Sequence, residues 1–180
     1  MTWPAEFKIS AFNFFINVIY RKYIHPRSPT AQVMQDNKIR STARTLPFSP
    51  EAVYAAFACG PVLAAWWGPE GFTNTFHTFD FNVNGRWLFT MHGPDGKSYE
   101  NTSFFAALEP ACRIVIRHDC QPFFTLTVGL HAVDGGTHLT WEQAFDDADT
   151  ARAVSAVVGP ANEQNLDRLA LALRRENSVA

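Results

Sequence analysis

Apolar and polar residues alternate from Phe72 onward, which predicts a strand with His77, Phe79, Phe81 and Val83 on one face and Phe76, Thr78, Asp80 and Asn82 on the other. Asn84-Gly85 then predicts a tight type I′ hairpin, since both central residues of that turn need positive φ. Trp87, Phe89 and Met91 form the next apolar row, and Asp80 and Arg86 are expected to pair across the hairpin on its outer face. Upstream, Ile39–Leu46 reads as a first strand. Ser49-Pro50-Glu51 has the N-cap, first-turn proline and acidic residue of a helix start, with Val53, Tyr54 and Phe57 as its buried stripe. Cys59-Gly60-Pro61 breaks this helix, and Val62–Trp66 forms a second short one that ends at Gly68-Pro69 and Gly71.

Downstream, turns at 93–96, 109–111 and 134–136 separate strands over Tyr99–Leu108, Arg113–His118, Phe123–Val133 and Thr137–Phe145, the spacing of an antiparallel meander. The last segment changes to a helical period. Asp146, Asp147 and Asp149 mark its start, Leu166, Leu169 and Leu173 form its stripe, and Arg174-Arg175 stand at its end. Gly159-Pro160 is expected to kink or restart it. A sheet with an apolar face and a helix with an apolar stripe must cover one another.

Composition narrows the class. The chain has 180 residues, 47% of them apolar, enough for one core, and residues 38–176 are read as one domain. Residues 1–37 form an N-terminal extension and 177–180 a short tail. The apolar stretch Phe7–Tyr20 is interrupted by Ser10, Asn13 and Asn17, too short and polar to span a bilayer. The extension is read as a tail, with an amphipathic helix lying on a surface as the alternative; no stable membrane insertion is expected. A net charge of −2 without a basic run argues against nucleic acid. Cys59, Cys112 and Cys120 have no metal-ligand spacing and read as reduced, mostly buried thiols of a cytoplasmic protein.

The order of elements, together with WWGPEGFT (66–73), NGRWLF (84–89), GPDG (93–96), GGTHLTW (135–141) and NLDRLALAL (165–173), resembles bacterial proteins similar to the activator of heat-shock-protein ATPase. These belong to the polyketide cyclase-like, START-related (SRPBCC) helix-grip group. The resemblance covers residues 38–175 and implies an α+β helix-grip fold, a curved antiparallel sheet gripping the C-terminal helix around an apolar cavity. It does not imply a reaction, because the fold hosts many functions. Relatives commonly carry Trp where this chain has Asn162 and an apolar residue where it has His77, so the resemblance places both polar groups near the cavity.

Strand alternation laid onto a gripped helix gives a candidate lining: Trp67, His77, Phe79, Phe81, Trp87, Phe89, Met91, Phe105, Ile116, His118, Trp141, Val158, Asn162 and Asn165. Such a row suits a small apolar or aromatic ligand held by a few polar groups. The loop Gly68–Gly71 is expected to gate its access. His77 and His118 are the only ionisable side chains that alternation puts inside. They are the candidates for proton transfer in an alternative reading as a cyclase, dehydratase or hydrolase, although neither has a carboxylate at fixed spacing. No metal and no cofactor is called for. A further alternative is a protein-interaction module of co-chaperone type, with a protein partner or a homodimer.

Overall fold

The computed structural model describes residues 38–178; the N-terminal extension and its amphipathic stretch lie outside the described residues. Seven strands, β1 (Ile39–Leu46), β2 (Thr73–Phe79), β3 (Arg86–His92), β4 (Ser98–Glu109), β5 (Arg113–His118), β6 (Phe124–Val133) and β7 (Gly136–Phe145), form one antiparallel sheet in the order β1-β7-β6-β5-β4-β3-β2. Consecutive strands from β2 to β7 are neighbours, and only β1 crosses over to pair with the last strand, from Ile39↔Ala144 to Leu46↔Thr137. Two short helices, α1 (Pro50–Ala58) and α2 (Gly60–Trp66), follow β1, and α3 (Ala148–Asn177) closes the chain. This is the expected α+β helix-grip architecture.

Local chemistry accounts for the ends. Ser49 is extended at φ −67° and its hydroxyl accepts from Ala52 N, while Pro50 occupies the first turn of α1. The Asp147 carboxylate accepts from Thr150 N at 2.7 Å at the start of α3. Helix α3 runs through Pro160 without restarting, so of the kink or restart expected there the restart does not occur. Val154 and Val157 before the proline and Leu166 and Leu169 after it are all buried, so tertiary packing on both sides outweighs the roughly 3 kcal/mol that an internal proline costs.

The β2–β3 connection departs from the expected tight hairpin. Strand β2 ends at Phe79 and β3 begins at Arg86. Asn84 has φ 65°, and the loop is tied to β4 by Asn84 N→Phe105 O (2.8 Å) and Phe105 N→Gly85 O (3.1 Å). Gly85 is required by crowding, because a Cβ there would stand 2.1 Å from Asp80 O. Arg86 pairs with Asp119 at 3.5 Å and not with Asp80. The cysteines are less buried than expected: Cys59 and Cys112 are exposed and Cys120 is half-buried, and none of the three is in a disulfide.

Helix contacts fall on β1, β2, β6 and β7, so no helix packs closely over the middle strands β3 to β5. That separation of the covering helices leaves room for an internal space.

Candidate functional site

A cavity of about 700 Å³ lies between the inner face of the sheet and α3. Phe89 and Met91 from β3, Ile116 from β5, Leu126 from β6 and Trp141 and Phe145 from β7 form its sheet wall. Val154, Val157, Val158 and Ala161 face it from α3, at the i, i+3, i+4 and i+7 positions that share one helix face. The Trp67–Pro69 segment and the β5–β6 connection, residues 119–123, complete the rim.

Nine of the expected lining residues meet at this cavity: Trp67, Phe89, Met91, Ile116, His118, Trp141, Val158, Asn162 and Asn165. Four others, Phe79, Phe81, Trp87 and Phe105, point inward but lie elsewhere. Trp87 and Phe105 are fully buried and stack at 5.9 Å with rings 4° from parallel. Phe81 meets Tyr54 of α1 edge-on at 5.6 Å, and Phe79 lies under Gly60 at the start of α2, where an added Cβ would sit 3.0 Å from its ring. The inner face is therefore divided. The part beneath the short helices is filled with aromatic rings, and the part beneath the first half of α3 is open. Alternation assigns the face of a side chain and is silent on what lies across from it.

His77 is a correction. The β2–β3 register shifts between Phe76, opposite Phe89, and Thr78, opposite Leu88, so His77 is the extra residue of a β-bulge. The bulge reverses the faces: Phe76 packs inward against Trp87 at 5.3 Å, and His77 is exposed on the outer face. There its Nε2 contacts Thr90 Oγ1 at 2.7 Å, and Thr90 donates to Glu100 Oε1 at 2.8 Å.

His118 does line the cavity, 7% exposed, with Phe124 stacked on its ring at 4.5 Å. Nδ1 lies 2.8 Å from Pro122 O, which can only accept, so this nitrogen carries the proton. Nε2 faces Asn101 Oδ1 at 3.1 Å, and Cys120 Sγ lies over the ring, 3.5 Å from Nε2 and 4.0 Å from Nδ1. Burial pushes the imidazole below its ordinary pKa, against the opposing pull of its contacts with Pro122 and Cys120.

A second polar group stands on the opposite side. Asn162 Nδ2 approaches Gln143 Oε1 at 3.4 Å, and both side chains are at least nine-tenths buried. Gln143 was not among the expected residues, although its place two residues from Trp141 on β7 puts it on the inner face. The remaining predicted amide, Asn165, is committed to structure: its Oδ1 accepts from Gly68 N at 2.6 Å and its Nδ2 donates to Ala161 O at 3.1 Å.

The loop expected to act as a gate is tied to α3. Arg168 donates to Gly68 O (2.7 Å), Pro69 O (2.8 Å), Ala65 O (2.9 Å) and Phe72 O (3.0 Å), and reaches Trp67 O at 3.5 Å. Gln164 Oε1 accepts from Glu70 N, and Asn74 Nδ2 donates to Ala64 O and Trp67 O. The guanidinium thus closes the C-terminal carbonyls of α2, where a positive charge is favoured by the helix dipole. Burial lowers the Arg168 pKa from its ordinary value, with Glu70 opposing. Arg168 therefore fixes one wall of the cavity without lining it.

Comparison with known proteins places this geometry. The family described as Activator of Hsp90 ATPase homolog 1-like protein matches residues 47–174. The chain belongs to this family. Solved structures similar to it include a protein of Chromobacterium violaceum, 25% identical at a TM-score of 0.66, covering 74% of this chain and 95% of that one. A protein of Nitrosomonas europaea is 15% identical at 0.70, covering 77% and 95%. An Hsp90-ATPase-activator-like protein from Silicibacter pomeroyi is 19% identical at 0.63, covering 77% and 99%. The latter two share the fold. No curated protein matches the chain. Among the described residues, no helix is long and apolar enough to cross a membrane.

Proposed function

We propose that this member of the family binds a small apolar or aromatic molecule in the cavity between the sheet and α3. The observation that carries the reading is the cavity itself: about 700 Å³, within the range of small-molecule sites, with mainly hydrocarbon walls and two separated polar groups. The first is the amide pair Gln143 and Asn162, which offers both a donor and an acceptor to a carbonyl or hydroxyl of the ligand. The second is His118 with Asn101. Trp141, whose indole N–H has no hydrogen-bond partner among the described residues, stands on β7 in the sheet wall of the cavity.

Of the two histidines considered for proton transfer, His118 alone is at the cavity, so an enzymatic reading now rests on it. The three cysteines, none of them in a disulfide, support a reducing, intracellular setting. Native mass spectrometry of protein purified from its own cells tests the binding reading. A retained apolar molecule of a few hundred daltons is expected. Protein that carries nothing, and that also fails to bind any member of a panel of apolar and aromatic compounds, would overturn it.

A further inference from the structure

The described residues begin beside the rim of the cavity. Phe145, at the end of β7, lines the cavity and donates its backbone N–H to Lys38 O at 2.9 Å. The Lys38 ammonium donates to Asp146 O at 2.9 Å, and Asp146 N donates to Phe123 O at 3.1 Å. Phe123 belongs to the rim, and at 39% exposure it is one of the large apolar side chains that the domain leaves open to solvent. Residues 1–37 therefore join the domain next to an apolar opening. Two properties of their sequence match that place. Phe12, Phe15, Ile16 and Ile19 recur at the i, i+3, i+4 and i+7 positions of one helix face, and Ser10, Asn13 and Asn17 fall on the opposite side. Lys8, Arg21, Lys22 and Arg27 outnumber Glu6 and Asp36, so the extension is basic in a chain of net charge −2. The rim is acidic: Asp119 on the β5–β6 connection and Asp147 and Asp149 at the start of α3 are all exposed.

We propose that residues 7–20 dock as an amphipathic helix across the mouth of their own domain's cavity and cover it until a ligand displaces them. Phe12, Phe15 and Ile19 lie against Phe123 and the half-buried Val158, and Arg21 and Lys22 reach toward the acidic residues of the rim. The connection is long enough: 17 residues, 21–37, reach roughly 20–25 Å on average, which sets the apolar stretch at an effective concentration in the millimolar range beside the rim. A bilayer would accept the same apolar face, and a second copy would offer the same mouth. Tethering favours the chain's own domain, because neither competitor starts from so high a concentration. The docking stands without a ligand, whereas its effect on ligand entry rests on the cavity being a ligand site.

Full-length protein carrying p-benzoyl-phenylalanine in place of Phe15 is irradiated at low micromolar concentration, with and without phosphatidylglycerol vesicles, and the products are mapped by peptide mass spectrometry. The expected product is a crosslink within one chain, from position 15 to the β5–β6 connection or the first half of α3. Crosslinks that join two chains, that form only with the vesicles, or that reach no residue of the rim overturn the proposal. The effect on the site is read in the full-length triple variant Phe12→Ser, Phe15→Ser and Ile19→Ser, checked for fold by circular dichroism. N-phenyl-1-naphthylamine is expected to bind it about threefold tighter or better than it binds the wild type, as for a mouth covered about two-thirds of the time. Equal affinity overturns the covering of the mouth and leaves the cavity reading standing. If neither protein binds the probe while the crosslink within one chain forms, the cavity reading fails and the docking stands.

Discussion

Removing the Arg168 guanidinium tests how the cavity wall is held. In Arg168→Ala, the carbonyls of Ala65, Gly68, Pro69 and Phe72 lose donors at 2.7–3.0 Å. A hydrogen bond contributes roughly 0.5–1.5 kcal/mol net, more when charged, but the half-buried guanidinium regains water on unfolding and some of the freed carbonyls can be hydrated. Taking four bonds near the lower end gives a loss of about 2–4 kcal/mol, which for a domain of this size lowers Tm by roughly 5–15 °C. Urea unfolding followed by tryptophan fluorescence measures it. Hydrogen exchange supplies the local readout, with the amides of Gly68 and Glu70, now bonded to Asn165 and Gln164, expected to exchange faster. Arg168→Lys should recover less than half of the loss, because one ammonium cannot span four carbonyls. A loss below about 1 kcal/mol with unchanged exchange at these amides would refute the reasoning and show that packing of Trp66 and Phe72 holds the loop.

Other outcomes follow from the same geometry. Phe105→Ala, at a fully buried site away from the cavity, is expected to cost about 3–5 kcal/mol in urea unfolding while leaving the affinity of a cavity ligand unchanged; a large affinity loss would contradict the division of the inner face. Gly85→Ala should cost about 1–3 kcal/mol, because its Cβ meets the Asp80 carbonyl, and a neutral result would mean that the loop relaxes freely. The lowered pKa of His118 means that the unfolded chain binds a proton which the folded chain refuses. Stability contributed by this group is present above the unfolded value near 6.5 and declines as pH falls, by about 1.4 kcal/mol per pH unit, until the folded pKa is reached. Urea midpoints between pH 8 and pH 5, compared with His118→Gln, check the sign: the variant should show a flatter profile, and an identical profile would refute the assignment.

Much of the architecture is legible along the chain because its signals are local. Strand β5 runs over Arg113–His118 as expected, since a short apolar alternation is bounded by turns on both sides. Helix α1 begins at Pro50 because Ser49 and Pro50 act on their own backbone neighbours. The features that escaped are set by distant partners. One extra residue at His77 reverses two faces of β2, and nothing in the local alternation marks it. Pro160 reads as a kink or a restart, and that the helix continues through it depends on the burial of α3 on both of its sides. The role of Arg168 depends on carbonyls about 100 residues away in the chain, which no local pattern marks. Gln143 was open to inference from its register, whereas the contact of Pro122 O with His118 Nδ1 depends on the shape of the β5–β6 connection.

The central claim is that the space beneath the first half of α3 takes an apolar ligand, and Ala161, which faces it, offers the most direct test. Titration of N-phenyl-1-naphthylamine into the wild-type protein and into Ala161→Trp, whose indole would occupy part of the cavity, measures the difference. The account predicts saturable binding to the wild type and affinity weaker by about tenfold or more in the variant, a change of about 1.4 kcal/mol, with thermal stability retained. Equal affinity in the two folded proteins would place the ligand elsewhere and contradict it.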